Sequence, residues 1–360
     1  MYNFKVKSII HDYDVQFIND LKKTITEEIR EGDFIIIDNK VQSLYYEQFK
    51  GVLNACSYIG IDATETQKSY QEIIPVIQQL IENGFRKNHR LIAIGGGITQ
   101  DVTAFISSIM YRGVSWIFFP STLLSQGDSC IGSKTSINFG KYKNQVGGFY
   151  PPNKIFIYPP FIDTLTEAEI RSGIGEMLHY FIVAGKQDFE LFRDKYKAAF
   201  TDRDVLAEII SRSLEIKKSY IEIDEFDKNE RQVFNYGHSF GHAIESLTDY
   251  RVPHGIAVSY GMDMANFISM KMGFISNKIR NEIRMVTEDI WEGFNINDID
   301  LELFLKALSK DKKNVGTKLG LILNKGYGKI FKNIMEADDI FRNWIDEYFT
   351  NELIRKYGSR

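Results

Sequence analysis

Three of the six histidines in the chain, His238, His242 and His254, lie within 17 positions of one another. If a helix runs through the first two, they share one face, because residues i and i+4 are neighbours on a helix. Such a pair alone usually means packed or solvated imidazoles. Here, however, a glycine adjoins each histidine, which removes side-chain bulk as the close approach of a ligand requires. The pattern therefore favours a site for a metal ion or a phosphate group.

A second candidate site lies where an apolar, strand-like run, Leu91-Ile92-Ala93-Ile94, leads into Gly95-Gly96-Gly97. A helix is predicted to begin near Asp101, and this order aims backbone N–H groups at a phosphate, as in nucleotide sites. The triplet is not the G-x-G-x-x-G fingerprint, so a tight structural turn is the alternative. The next apolar run ends at Ser121-Thr122, which puts hydroxyls at the carboxyl end of a strand, where α/β sheets bind ligands.

The elements that must position these residues differ between the two parts of the chain. The first part alternates apolar runs such as 34–38 with helical patterns from about 43 and over 69–83, and is typical of an α/β domain. Helical patterns follow at 166–198, 204–222, 236–248, 254–272 and 300–310. Segment 127–150, rich in glycine, lysine and asparagine, fits either a mobile basic surface loop or part of a site. We predict domains over 1–160 and 161–360.

Composition narrows the class of protein. The 360 residues include 44% hydrophobic residues, with a formal charge of -4 and a pI near 6.0. This charge gives no bulk attraction to nucleic acid or to anionic lipid, so we expect neither as a partner. No apolar run approaches the roughly 18–20 residues of a membrane span. With two cysteines and no signal-like N-terminus, we expect a cytoplasmic protein that acts on small molecules.

Further motifs complete an ordered set along nearly the whole chain. The set comprises Glu65-Thr66-Gln67-Lys68, Gly95-Gly96-Gly97-Ile98-Thr99-Gln100-Asp101, Pro120-Ser121-Thr122-Leu123-Leu124-Ser125-Gln126-Gly127-Asp128, Ser133-Lys134-Thr135, Lys143-Asn144, Gly173-Ile174-Gly175-Glu176, the histidine run and Asp311-Lys312-Lys313. In this order, the motifs resemble those of the 3-dehydroquinate synthase family of sugar-phosphate cyclases.

The resemblance implies an α/β, Rossmann-like NAD-binding domain, a mainly α-helical C-terminal domain that binds metal and substrate, and a homodimer. It implies that Glu176, His238 and His254 bind a divalent metal ion, most often Zn²⁺ with Co²⁺ as an alternative, and leave positions open for substrate oxygens. The residues that it implies for NAD are Asp38, Glu65, Lys68, Gly95, Gly96, Gly97, Asp101, Ser121, Thr122 and Thr164.

The resemblance also implies a phosphorylated sugar substrate. Its phosphate would be held by Lys134, Asn144, His242 and Lys313, with Arg112 contributed by the partner subunit. The implied catalytic set is Asp128, Lys134, His179, Lys217, Asp227, Arg231, Asn235 and His242, with Lys217 and Arg231 around the carboxylate and ring hydroxyls of the substrate. Asp128 and His242 are the candidates for the proton acceptor, and either could instead be an orienting hydrogen-bond partner.

The family's reaction converts 3-deoxy-arabino-heptulosonate 7-phosphate to 3-dehydroquinate and phosphate, a step of the shikimate route to aromatic amino acids. It proceeds by NAD-mediated transient oxidation, phosphate elimination, re-reduction and intramolecular aldol closure. This function is our first hypothesis. The alternatives are a paralogous cyclase for another sugar phosphate, such as sedoheptulose 7-phosphate or glucose 6-phosphate in secondary or polysaccharide metabolism, a metal-dependent NAD alcohol or glycerol dehydrogenase, and a non-catalytic binding protein.

Three positions depart from the family pattern. His179 stands where a lysine is usual, Asp227 where a glutamate is usual, and Ser133 where a glycine is frequent. The first change matters most, because imidazole is shorter than a lysine side chain and only partly charged near neutral pH. At i+3 from Glu176, His179 could orient that residue or touch the metal. The retained Arg231 favours a substrate that carries a carboxylate.

Overall fold

The computed structural model describes residues 2–140, 142–311, 313–314 and 316–353, and the chain forms two compact units. The first unit contains the chain up to Thr166 and the segment Ala199–Asp227. The second contains Glu167–Ala198 and the chain from Lys228 onward. The first carries an α/β sheet and the second is mainly helical, so the predicted fold class is confirmed.

A sheet forms the centre of the first unit, with seven strands in the described part of the chain. In spatial order they are β1 (Phe4–Val6), β2 (Tyr13–Phe17), β9 (Lys154–Ile157), β6 (Trp116–Pro120), β5 (Leu91–Gly95), β3 (Phe34–Asp38) and β4 (Ser57–Ile61). All neighbouring pairs are parallel except β1 and β2. Strands β5 and β6 are buried along their whole length, which is why they appear in the sequence as continuous apolar runs.

The helices of the first unit are α1 (Leu21–Glu28), α2 (Asn39–Leu44), α3 (Tyr46–Ala55), α4 (Tyr70–Glu82), α5 (Gly97–Ile109) and α8 (Arg203–Ile221), and α5 packs on β5 and β6. The helix predicted over 69–83 is confirmed, with Ser69 as its N-cap. The helix predicted to begin near Asp101 begins four residues earlier, at Gly97. The glycine triplet is therefore part of the strand end and the first helical turn, not a separate loop.

Segment 127–150 is not a featureless loop. It forms an antiparallel hairpin of β7 (Lys134–Phe139) and β8 (Tyr142–Phe149). Ser133, directly before β7, has φ 66°, in the left-handed region that favours glycine. Its hydroxyl donates a hydrogen bond to buried Glu225 (2.7 Å). This bond offsets part of the free energy that the left-handed conformation costs a non-glycine residue. This conformation explains why a glycine would also suit the position.

Helix α8 belongs to the first unit, although the predicted boundary near residue 160 would place it in the second domain. The Ser213 hydroxyl donates to the Gly127 carbonyl (2.8 Å). Nζ of Lys217 donates to the Asp128 carboxylate (2.7 Å). A single domain boundary in the sequence separates such a segment from the unit that it contacts, because contacts between distant residues define the unit. The division into 1–160 and 161–360 stays a prediction.

The second unit contains α6 (Glu167–Ala184), α7 (Lys186–Lys195), α9 (His238–Leu247), α10 (His254–Lys271), α11 (Asn277–Ile290), α12 (Leu301–Leu308), β10 (Leu319–Asn324), β11 (Ile330–Met335) and α13 (Asp339–Glu347). The predicted helix over 166–198 is divided, because Gly185 has φ 138° and starts α7 in a new direction. The antiparallel pair β10 and β11 was not predicted. No helix among the described residues is long and apolar enough to cross a membrane.

The backbones of α6 and α10 touch beside His254. A Cβ atom added to Gly255 would lie 1.8 Å from the carbonyl oxygen of Ser172, and one added to Gly175 would lie 2.3 Å from that of Gly255. We therefore expect Gly255→Ala to lower the free energy of unfolding by about 3 kcal/mol, the upper range for overpacking a core. Denaturation in urea would measure this loss.

Gly51, within α3, provides the control, because a Cβ atom there meets nothing within 4 Å. Gly51→Ala is expected to be neutral or to stabilise the protein by up to about 1 kcal/mol. An unfolding midpoint for Gly255→Ala equal to that of the wild type would contradict the close crossing of the two helices.

Candidate active site

Three side chains from three helices meet in the second unit. Glu176 lies in the middle of α6, while His238 and His254 are the first residues of α9 and α10. Oε1 of Glu176 lies 3.3 Å from Nε2 of His238, and its Oε2 lies 3.4 Å from Nε2 of His254. One ligand atom from each residue lies within 4.8 Å of the others. The residues predicted to bind a metal are therefore neighbours in space.

The spacing of these atoms suits a small divalent cation. Two donors that are each about 2.0–2.1 Å from a tetrahedral zinc ion lie about 3.3 Å from each other. The separations of 3.3 and 3.4 Å match this value and are longer than a good charge-assisted hydrogen bond. A buried carboxylate and two imidazoles are also the donor set of a catalytic zinc site. The residues fit the implied metal.

Electrostatics keep the Glu176 carboxylate ionised. Burial by itself would raise its pKa, but His238 and His254 lower that pKa well below the usual value. Burial opposes a charge on His254 as well, yet the carboxylates of Glu245 and Glu176 raise the pKa of His254 well above its usual value. An ionised carboxylate is the form that binds a cation, and a bound cation would displace the proton that the raised pKa places on His254.

His242 does not share the Glu176 carboxylate. Its ring lies 5.6 Å from the His238 ring and stacks at 5.8 Å on the His254 ring. Burial of the ring lowers the pKa of His242 to about 3, and the charges of the neighbouring histidines contribute to the same shift. Part of the side chain nevertheless reaches solvent. The imidazole is therefore neutral at physiological pH. Besides the cluster with Glu176, one ligand atom each from His242, Glu245 and His254 also lies within 4.8 Å of the others.

The residue that departs most from the family pattern lies beside this cluster. His179 is 1% exposed, and its Nδ1 lies 3.9 Å from Oε1 of Glu176. Its ring packs on Tyr180 at 3.9 Å and lies 5.8 Å from Phe234, measured between ring centroids. The His238 ring is 5.4 Å away. His179 is thus enclosed by aromatic rings next to the predicted ligands.

The other substrate residues predicted in the second unit are Arg231, Asn235 and Lys313. Arg231 is buried in the turn before α9, and the side-chain amide of Asn235 donates to the Gln232 carbonyl (3.1 Å). Nζ of Lys313 lies 2.9 Å from the Asp311 carboxylate. Of the Asp311-Lys312-Lys313 motif, the middle residue lies outside the described residues.

Two of the predicted NAD-binding segments meet at the carboxyl ends of β5 and β6. The backbone N–H of Ser121 donates to the Gly95 carbonyl (2.9 Å), and a Cβ atom on Gly96 would lie 2.8 Å from a methyl carbon of Thr122. Gly97 opens helix α5, whose N-terminus therefore points toward this edge of the sheet. This is the strand, glycine turn and helix order that suits a phosphate.

A charged cluster adjoins these segments. Nζ of Lys68 lies 2.5 Å from Asp101, and the Glu65 carboxylate accepts from the side chains of Asn138 and Lys143. Burial raises the pKa of Asp101 even though Lys68 opposes the shift. Glu65, Lys68 and Asp101 are thus brought together.

The remaining predicted NAD residues are Asp38 and Thr164. Asp38, at the end of β3, accepts from the Lys40 backbone N–H (2.9 Å), and burial raises its pKa. Thr164 lies 3.1 Å from the Tyr45 hydroxyl. Because Ile37 pairs with Ile94 in the sheet, Asp38 ends its strand beside the glycine turn.

Four of the substrate residues predicted in the first unit form two ion pairs, and Asn144 and Arg112 lie outside these pairs. Nζ of Lys217 lies 2.7 Å from Asp128, and Nζ of Lys134 lies 2.6 Å from Asp227. The Asn144 backbone N–H donates to the Asn138 side chain (3.0 Å). Arg112 lies in a turn after α5 with φ 66°. Its predicted contact with a partner subunit stays a prediction.

The comparison with known families decides the family of the chain. Profiles described as "3-dehydroquinate synthase N-terminal" and "3-dehydroquinate synthase C-terminal" match residues 58–172 and 173–314. The chain belongs to the 3-dehydroquinate synthase family. The resemblance drawn from the motifs is confirmed, and the chain is accordingly an enzyme of the carbon–oxygen lyase type that depends on NAD and a metal ion.

Curated relatives match most of the chain. It is 34% identical over 336 residues to the 3-dehydroquinate synthase of Dictyoglomus thermophilum, covering 91% of this chain and 94% of that protein. It is 33% identical over 355 residues to a bifunctional 3-dehydroquinate synthase/phosphatase of Fusobacterium nucleatum subsp. nucleatum. That alignment covers 94% of this chain, which spans about half (52%) of the bifunctional protein.

Solved structures of other proteins share the fold at lower identity. A 2-deoxy-scyllo-inosose synthase complexed with carbaglucose-6-phosphate, NAD⁺ and Co²⁺ has a TM-score of 0.85 and 21% identity, with 96% of this chain and 99% of that chain covered. A 2-epi-5-epi-valiolone synthase from Streptomyces hygroscopicus subsp. jinggangensis 5008, with NAD⁺ and Zn²⁺ bound, has a TM-score of 0.85 and 23% identity, with 98% of each chain covered. Family membership therefore leaves the sugar phosphate open.

Two residues that were not predicted as site residues, Asn138 and Glu245, contact residues that were. Asn138 donates to both the backbone and the carboxylate of Glu65 (3.1 and 3.0 Å) and accepts from Asn144. It therefore links a predicted NAD residue to a predicted phosphate residue. Glu245 lies 3.0 Å from Nδ1 of His254. Sequence spacing gives no signal for either contact, because both depend on how distant segments pack.

Proposed function

We propose that the chain is a 3-dehydroquinate synthase, which converts 3-deoxy-arabino-heptulosonate 7-phosphate to 3-dehydroquinate and phosphate. The observation that carries this proposal is the cluster of Glu176, His238 and His254 with His242 beside it. A cation site next to a neutral imidazole suits a substrate with both an oxidisable hydroxyl and a phosphate group. Curated relatives bearing this name at 34% and 35% identity support the choice.

Two groups would complete the site. Glu176, His238 and His254 would hold the divalent ion, for which we propose Zn²⁺, and this ion would supply a Lewis acid to a substrate hydroxyl. The glycine turn at 95–97, with Asp38, Glu65, Lys68, Asp101, Ser121, Thr122 and Thr164, would hold NAD, which would supply a reversible hydride acceptor. Solved relatives with NAD⁺ and either Co²⁺ or Zn²⁺ support both assignments.

The side chains of the protein itself would bind and orient the substrate. Lys134, Asn144, His242, Lys313 and a partner's Arg112 would bind the phosphate. The three cations would form charge-assisted hydrogen bonds to its oxygens, and the Asn144 amide and the neutral His242 imidazole would each donate an N–H.

Other side chains would face the carboxylate and ring of the substrate. Buried Arg231 would offer the carboxylate a planar pair of donors. Asp128 holds the Lys217 ammonium through its side chain and its carbonyl (2.7 Å each), and so would orient Lys217 toward the ring hydroxyls. Asn235 would contribute an amide donor. We also propose that the protein is a cytoplasmic homodimer in the shikimate route.

A paralogous cyclase is the second candidate, and His179 is the observation that favours it. A buried, aromatic-packed imidazole replaces the family's lysine, so the pocket next to Glu176 differs from the usual one. Sedoheptulose 7-phosphate and glucose 6-phosphate are the substrates to compare. An alcohol or glycerol dehydrogenase is less well supported, because a solved glycerol dehydrogenase matches with a TM-score of only 0.65.

A substrate panel tests these candidates. We expect the zinc-loaded protein with NAD to release phosphate from 3-deoxy-arabino-heptulosonate 7-phosphate with no net increase in absorbance at the NADH wavelength, because the hydride returns within each turnover. Phosphate release and formation of the carbocycle would be followed together. Release only from another sugar phosphate would establish the paralogous cyclase, whereas NADH accumulation without phosphate release would establish a dehydrogenase.

A further inference from the structure

His254 contacts a different carboxylate through each nitrogen of its ring. Nε2 lies 3.4 Å from Glu176, within the predicted metal cluster. Nδ1 lies 3.0 Å from Oε2 of Glu245. The second distance is that of a hydrogen bond, whereas the first is the spacing of two donors around one cation. The ring therefore has one nitrogen available for the metal and one for a protein partner.

The fold fixes Glu245 opposite His254. Glu245 is on α9, seven residues after His238, so both project from the same face of one helix. Helices α9 and α10 pack with their backbones in contact: a Cβ atom on Gly261 of α10 would lie 1.9 Å from the Gly237 carbonyl oxygen. The Glu245 side chain is only 13% exposed, so its carboxylate is largely shielded from water. One helix thus carries both a predicted ligand and the carboxylate that holds the next ligand.

We propose that Glu245 is a positioning residue for the metal centre: it accepts the Nδ1–H of His254 and so leaves Nε2 as the lone pair that faces the cation. A carboxylate in this position fixes the tautomer and the ring orientation and makes the imidazole a better donor. This inference rests on the metal site in the proposed function. It gives Glu245 a role without direct contact with the metal or the substrate.

A competing arrangement uses the same residues differently. His242, Glu245 and His254 also bring one ligand atom each within 4.8 Å of the others, so a cation could in principle be bound by Nδ1 of His254. Nδ1 cannot donate a proton to Glu245 and bind a cation at the same time. If Glu245 positions His254, removal of its carboxylate weakens metal binding but leaves the ligands of the metal unchanged. If Glu245 is itself a ligand, the same removal also changes the coordination of the metal.

Zinc affinity measured without substrate separates these roles. The protein would be stripped with a chelator and titrated with Zn²⁺ against a chromophoric competitor. We expect Glu245→Met to weaken zinc binding by about 10–100-fold, the usual effect of losing such a partner. Glu245→Gln should lose less, because its amide oxygen still accepts the Nδ1–H. This order, with glutamate tightest and methionine weakest, is not expected from a residue that only packs between helices.

Cobalt absorption supplies a second readout. The visible d–d bands of the Co²⁺-loaded Glu245→Met protein should match those of the wild type at saturating metal, since the ligands are unchanged. Exposed Glu167 in the first turn of α6 provides the matched control, and Glu167→Met should alter neither affinity nor spectrum. Unfolding of the metal-free proteins in urea shows whether a variant has lost stability instead.

Three results would overturn the proposal. Zinc affinity of Glu245→Met equal to that of the wild type would leave Glu245 without a positioning role. Cobalt bands of Glu245→Met that differ from those of the wild type at saturating metal would identify Glu245 as a ligand, together with His242 and His254. A wild-type protein that binds neither ion would overturn both this inference and the proposed metal site, whereas failure of the substrate panel with normal zinc binding would affect only the proposed substrate.

Discussion

We expect Glu176→Gln to abolish tight zinc binding and to lower turnover by about 10³-fold or more. The amide keeps the shape of the side chain but removes the anionic ligand, and a Lewis-acid metal contributes several kcal/mol to a reaction barrier. Each 1.36 kcal/mol, roughly, changes a rate tenfold, which gives this magnitude. Zinc content after gel filtration and phosphate release under saturating substrate would be measured on the same preparation.

The matched control removes a carboxylate from the same helix. Glu167 is exposed and pairs with Arg171 at the surface, an interaction worth little in solvent. Glu167→Gln should therefore retain zinc and nearly full turnover. Because Glu176 is buried between two imidazoles, its substitution could also change stability, so the free energy of unfolding would be compared for both variants. Normal zinc content in a folded Glu176→Gln protein would contradict the assigned ligand set.

Local patterns predicted much of this fold. Continuous apolar runs identified strands β3, β5 and β6, because buried parallel strands need no polar alternation. Helical periodicity located α9 and α10 to within about two residues, the usual precision of such boundaries. These features depend on residues near one another in the chain, and sequence spacing records them directly.

Features that depend on distant contacts were not predictable in the same way. The assignment of α8 to the first unit rests on contacts such as that of Ser213 with Gly127, 86 positions away. Spacing alone suggested that His238 and His242 act together, whereas His238 lies against Glu176, 62 positions earlier in the sequence. Only the family resemblance, not the spacing, predicted that grouping. Neither the spacing nor the resemblance pointed to Glu245 as the neighbour of His254.

The largest expected effect on substrate preference comes from His179→Lys. If the proposed function holds, this substitution should raise kcat/KM for 3-deoxy-arabino-heptulosonate 7-phosphate by about tenfold or more, since a hydrogen bond to a charged group contributes roughly 1.5–3 kcal/mol. Lysine is longer than histidine and carries a fixed charge, so its ammonium can extend from the enclosed position beside Glu176 toward a substrate oxygen. Initial rates of phosphate release across substrate concentrations would measure the change.

His179→Gln separates charge from volume in this test, because it fills similar space without a cation. We expect it to give no gain with the seven-carbon acid. Since His179 packs on Tyr180 and lies near Phe234, the thermal stability of both variants would show whether the aromatic enclosure tolerates the exchange. A stable, zinc-loaded His179→Lys protein that is slower with this acid would contradict the proposed substrate. If it were also slower with sedoheptulose 7-phosphate or glucose 6-phosphate, on which the wild type was active, His179 would belong to the pocket of that substrate.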